Sequence, residues 1–156
     1  MTVKNDARKM IMKDEGWRAK PYKDTEGVLT IGFGTNITRI TREEGEALLD
    51  LRLNKIINFD LLSFTEELPN LNDARKIVLI SMLYQLGLYG VKKFTQMRQA
   101  IKDKDFNRAS IEMLDSRWHK QTPHRCRRLA EIMRTGTING VKVDMPETKP
   151  NDIHGF

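Results

Sequence analysis

The sequence predicts a mostly helical α+β fold with one small β element near its N-terminus. Three observations carry that reading. Apolar residues recur at helical spacing through most of the 156 residues. Residues 21–36 break the period, with a turn-rich PYKDTEG followed by the β-branched and aromatic VLTIGF. The strand-like and helical segments are segregated along the chain, the pattern of the α+β class.

The elements follow in order. Val3, Ala7, Met10 and Ile11 share one face of a helix over 3–14, and Gly16 sits just past its end. The next segment reads as a small hairpin or sheet, turning near Thr25–Gly27. Thr41 and Glu44 have the spacing of a capping box. Leu49, Leu53, Ile56 and Ile57 then give a long helix one apolar face. After a turn-like stretch at 69–72, residues 73–86 are the most apolar part, predicting a helix buried on nearly all sides. Phe94, Met97 and Ile101 mark a short helix, and 105–115 and 123–134 two more. Pro123 suits a first turn and Gly136 a helix end. Residues 139–156 have no clear period and read as a tail.

Composition narrows the class. With 27 Lys and Arg against 21 Asp and Glu, the net charge is +6 and the pI about 9.5. A hydrophobic fraction of 39% with 31% charged residues fits neither a membrane protein nor a disordered chain. The basic balance suits polyanionic partners, although basic patches interleaved with aromatics, as nucleic-acid binding would require, are not seen. Cys126 is the lone cysteine, so no internal disulfide forms. The N-terminus carries no apolar run. The expectation is therefore synthesis in a cytoplasm without a signal peptide and with no stable membrane insertion.

Three residues near the N-terminus can do chemistry. Glu15 falls at the C-terminal end of the first helix, where the helix dipole and any burial favour a protonated carboxyl. A general acid must be protonated. Asp24 lies in the turn, and Thr30 in a strand. Singly, each has a local explanation: a solvated helix end, a turn former, an ordinary strand residue. Together they offer an acid, a second carboxylate and a hydroxyl able to orient water, the groups that glycosidic hydrolysis uses. Two other signals lead nowhere. Gly32-Phe33-Gly34 lacks the third glycine and the βαβ setting of a dinucleotide fingerprint. His119 and His124 lack a third ligand, so no metal site is expected.

The spacing of Glu15, Asp24 and Thr30, followed by Ile31-Gly32-Phe33-Gly34, resembles the bacteriophage-type lysozymes, the muramidases that include the T-even phage enzymes. The likeness is carried by DEGWRAKPYKDTEGVLTIGFG and by SRWHKQTPHRCRRLAEIMRTGT, and more weakly by SMLYQLGLYGVKKFT. Together these blocks span somewhat less than half the chain. The resemblance implies a two-lobed fold within 1–138. A small lobe with a β-hairpin (about 15–60) would be joined by a long helix to a helical lobe (about 61–138 plus the N-terminal helix).

It also implies roles. Glu15 would be the general acid. Asp24 would activate or position water, or steady the oxocarbenium-like state, and Thr30 would hold that water. Glu26, Gly34, Tyr84, Gln85, Phe94 and Arg117 would contact substrate, while Arg125 would pair with the acid and Trp118 support the site. The residues themselves leave Gln85, Tyr84 and Phe94 equally open as core. An Arg partner would lower the Glu15 pKa while helix end and burial raise it. The implied reaction is a single-displacement hydrolysis of the β-1,4 bond between N-acetylmuramic acid and N-acetylglucosamine, with no cofactor, by a monomer released to the wall through a holin-like partner. A lytic transglycosylase and an inactive wall-binding module are the alternatives. Two departures stand out: Thr35 where many members carry His, and Glu112 where the T-even enzymes carry a substrate-contacting Asn.

Overall fold

The computed structural model describes residues 2–139; the expected tail, beyond Asn139, lies outside them. The described residues form two compact units, divided in sequence between Ala47 and Leu48. The expected small lobe, 15–60, shares residues 15–47 with the first of them.

In the first unit, helix α1 runs Val3–Glu15. The Thr2 hydroxyl caps its start by accepting the Asn5 N–H at 3.3 Å. Gly16 ends it with φ 68°, a conformation that glycine adopts without strain. The β element is a three-stranded antiparallel sheet in the order β1 (Arg18–Lys23), β2 (Leu29–Gly32), β3 (Thr35–Asn36). It therefore has one strand more than a hairpin. Pairing slips between Arg18 and Tyr22 on the edge strand β1. Pro21 falls within that slip, where its missing N–H removes a ladder bond at little cost.

Helix α2, Arg42–Lys55, opens on the predicted capping box. The Glu44 N–H donates to Thr41 Oγ1 at 3.2 Å, and the Thr41 N–H donates back to Glu44 Oε2 at 2.7 Å. Its apolar face departs from expectation. The α-helix passes at Ile56 into a π-helical turn, Ile56–Asp60. Of the four residues expected on that face, only Ile56, at the start of the π turn, is buried; Leu49 and Ile57 are exposed.

The second unit holds the core. Helix α3, Asp73–Lys92, is broken at Gly87 (φ 72°), so its first segment ends where the predicted 73–86 helix does. Val78, Leu79, Met82 and Leu83 form its buried stripe, whereas Ile77 and Tyr84 are exposed. Burial on nearly all sides is thus not found: the buried residues keep one helical period and leave the flanks open. Helices α4 (Thr95–Lys102), α5 (Phe106–Leu114) and α7 (Pro123–Thr135) follow as predicted. The short α6 (Arg117–Gln121) was not foreseen; it is nucleated by Ser116, whose hydroxyl accepts the His119 N–H at 3.1 Å. Among the described residues no single helix is long and apolar enough to cross a membrane.

Three polar contacts tie this unit together. The C-terminus of α7 delivers its free carbonyls to the start of α3. Asn72 Nδ2 donates to the Gly136 carbonyl at 2.8 Å, and Arg75 Nε donates to that of Met133 at 2.8 Å. Arg75 also lies over the Phe106 ring at 3.5 Å, and burial lowers its pKa. Deeper in, Glu67 is 1% exposed and accepts from Arg98 Nε at 2.6 Å. Glu67→Ala leaves the partly buried guanidinium without its carboxylate, so we expect a loss of about 3 kcal/mol in urea-unfolding stability. A change below about 1 kcal/mol would show the pair to be dispensable. Cys126 is fully buried, and its thiol donates to the Met113 carbonyl. Burial pushes the thiol pKa up to about 11. Its stabilising effect is therefore complete below pH 9 and lost as pH rises through 11. At neutral pH the folded chain should be inert to thiol reagents and react only as fast as it unfolds.

Candidate active site

Glu15 is the last residue of α1, and its side chain is exposed. The carboxyl rests on the turn between β2 and β3. A Cβ placed on Gly34 would lie 2.6 Å from Glu15 Cδ and 3.1 Å from Cγ. Gly34 also has φ +70°. The backbone thus favours glycine there, and a Cβ would displace the Glu15 carboxyl from its present place. Gly34→Ala should push the carboxyl off its seat. We expect wall lysis to fall at least tenfold while stability drops by only about 1–2 kcal/mol; parallel lysis and thermal-unfolding assays separate the two effects.

Asp24 and Thr30 are organised around one residue, Val28. Asp24 Oδ1 accepts the Glu26 N–H at 2.9 Å and the Val28 N–H at 2.8 Å. The Val28 carbonyl accepts the Asp24 N–H and the Thr30 hydroxyl, each at 3.0 Å. Both local explanations offered by the sequence therefore hold, since Asp24 does form the turn. They do not exclude chemistry. The bonds to the turn use Oδ1, which leaves Oδ2 for a ligand. Thr30 is 3% exposed and spends its proton on Val28, so its oxygen can still accept a hydrogen bond. Glu26 projects at the exposed tip of the same turn.

The remaining predicted residues lie in the second unit, in three settings. Arg117, Phe94 and Trp118 line a cleft of about 570 Å³, together with Glu112. Tyr84 and Arg125 line a smaller cavity of about 230 Å³ with Arg128 and Leu53. Gln85 is engaged elsewhere. Its Oε1 accepts the Trp118 indole N–H at 2.9 Å, and its Nε2 donates to Thr122 Oγ1 at 3.3 Å. That is the satisfied amide its place on a core face suggested. Phe94 meets Trp118 edge-on at 6.2 Å, so Trp118 is braced by a ring and an amide at once. Thr122 escaped the sequence reading, although its place just before Pro123 was a signal for a polar helix start. Val28 gave no side-chain signal because it acts through its peptide groups alone.

His119 Nε2 is buried without a hydrogen-bond partner, and His124 is exposed. No group of three or more potential ligands occurs among the described residues.

Comparison with known proteins identifies the family. The family model described as phage lysozyme matches residues 12–134. Probable T4-type lysozyme 1 of Dictyostelium discoideum is 32% identical over 164 residues, covering 85% of this chain and 96% of that protein. The pre-baseplate central spike protein Gp5 of Enterobacteria phage T4 is 31% identical over 88% of this chain but only 29% of its own length. Peptidoglycan hydrolase gp36 of Pseudomonas phage phiKMV is 26% identical, over 76% of this chain and 14% of its own. The family match takes in the end of α1, the sheet with its two turns, and all but the last residue of α7; the chain belongs to the phage lysozyme family.

Proposed function

We propose that the chain is a muramidase, hydrolysing the β-1,4 bond between N-acetylmuramic acid and N-acetylglucosamine in bacterial peptidoglycan. The observation that carries the proposal is the seat of Glu15 on Gly34, in the sheet whose first turn joins Asp24 and Thr30 through Val28. A relative named as a peptidoglycan hydrolase and others named as lysozymes point to the same substrate.

In this reading Glu15 protonates the glycosidic oxygen as the bond to the anomeric carbon breaks. Asp24 Oδ2 takes a proton from the attacking water and steadies the developing positive charge on the ring. Thr30 accepts that water's second hydrogen, which fixes the direction of its lone pair. Glu26, Gly34, Tyr84, Phe94 and Arg117 hold the glycan, with Gln85 contributing through the hydrogen-bonding capacity its two partners leave. Trp118 keeps Gln85 in place. Two carboxylates and a water suffice without a cofactor. The enzyme is made in the bacterial cytoplasm, works as a monomer, and reaches the wall through a holin-like partner.

Mass spectrometry of the fragments freed from purified peptidoglycan tests this. Hydrated muramic ends are expected. Fragments one water lighter would make the enzyme a transglycosylase, and no fragments would leave a wall-binding module.

A further inference from the structure

Next to the acid stands an aromatic pair that the reading above does not use. Glu15, Gly16 and Trp17 run against the turn Gly32-Phe33-Gly34. Gly34 faces the Glu15 carboxyl, while a Cβ on Gly32 would lie 3.7 Å from Trp17 Cζ3. Phe33, between the two glycines, meets Trp17 with ring centroids 5.1 Å apart and planes inclined by 49°. The indole is thus braced from the side of the turn. Even so, 66% of Trp17 remains exposed.

That combination calls for a reason. A large apolar ring exposed on a surface is unremarkable when it is free to move. Trp17 is instead oriented by a second ring and packed over a glycine with φ +68°. An indole presented in this way has one covered side and one open side. Its distance from the acid is bounded by the chain: Gly32 and Gly34 are two residues apart, at most about 7 Å between Cα atoms. The open indole therefore lies within the next sugar or two of a bond cleaved at Glu15.

We propose that Trp17, backed by Phe33, is a glycan subsite. The open indole face takes the C–H side of one pyranose of the strand, next to the bond that Glu15 protonates. The chemistry fits both partners. A pyranose carries a patch of C–H groups that offers apolar contact without giving up its hydroxyl hydrogen bonds. An aromatic face supplies a rigid, already oriented surface with little rotamer entropy to lose. The indole N–H makes no hydrogen bond among the described residues and can serve an acetamido or hydroxyl oxygen. The aromatic character is what matters, since an aliphatic side chain could pack on Gly32 and Phe33 but would present no flat face.

This inference rests on the muramidase reading, and the test separates the two. Binding is measured in the Glu15→Gln background, where no hydrolysis intervenes. The probe is a soluble strand of alternating N-acetylglucosamine and N-acetylmuramic acid, freed of stem peptides. The chain has two tryptophans, and Trp118 is only 3% exposed, so iodide quenching of fluorescence reports on Trp17. The strand should shield Trp17 from iodide. Trp17→Leu should weaken binding about tenfold, while Trp17→Phe should stay within about threefold of the parent. Unchanged quenching on saturation, or equal affinity of the Leu and Phe variants, would overturn the subsite. If Trp17→Leu does not fold, the quenching measurement and the Phe variant decide alone. Failure of the muramidase reading would show itself differently, as absent or anhydro fragments from the active chain.

Discussion

Glu15→Gln should lower the release of soluble wall fragments by roughly 10²- to 10⁴-fold, the range that a lost general acid commands. The expected change in stability is small, and the reason lies in the local structure. Glu15 is exposed, and the hydrogen bonds that end α1 involve Gly16 and Met12 backbone groups instead of its side chain. Gln has nearly the same shape and fits the same space over Gly34. It cannot hand over a proton. Circular dichroism and thermal unfolding should therefore match the parent while lysis collapses. A variant that retained more than a few per cent of its lytic rate would remove Glu15 from the acid role. A variant that failed in both assays would point to a purely structural side chain.

Much of this organisation was legible in the sequence because it depends on neighbours in the chain. The α1 stop at Gly16, the Thr41–Glu44 capping box and the end of α7 at Gly136 are each set within one helical turn, by residues whose chemistry has few alternatives. The turn holding Asp24 is local in the same way. What was not legible depends on distance or on backbone. The Asn72 and Arg75 bonds to the end of α7 join residues some sixty positions apart, and no local pattern announces them. The π-helical turn at Ile56 alters a register that the apolar period alone would continue. Gln85 shows the limit most clearly. The sequence placed it on a core face and left its amide open to substrate or structure; its partners, Trp118 and Thr122, lie in α6 and in the residue before α7.

Asp24 offers the second large effect, because two substitutions divide its two duties. In Asp24→Asn the Oδ1 acceptor survives, so the Glu26 and Val28 N–H groups keep their partner and the turn stays closed. Only the charge is removed. The expected loss of stability is about 1 kcal/mol or less. The expected loss of hydrolysis is about a hundredfold or more, because a neutral amide neither takes a proton from water nor steadies a cationic ring. Asp24→Ala removes charge and acceptor together. Its activity should be no lower than that of the Asn variant by more than a few-fold, but it should unfold about 1–2 kcal/mol earlier because the two N–H groups lose their partner. The pattern discriminates between chemistries as well as roles. A transglycosylase closes the muramic ring on itself and has no attacking water for Asp24 to activate, so it would tolerate Asp24→Asn. If that variant kept a tenth or more of the parental rate, the water role would fall and Asp24 would be left as the residue that shapes the turn.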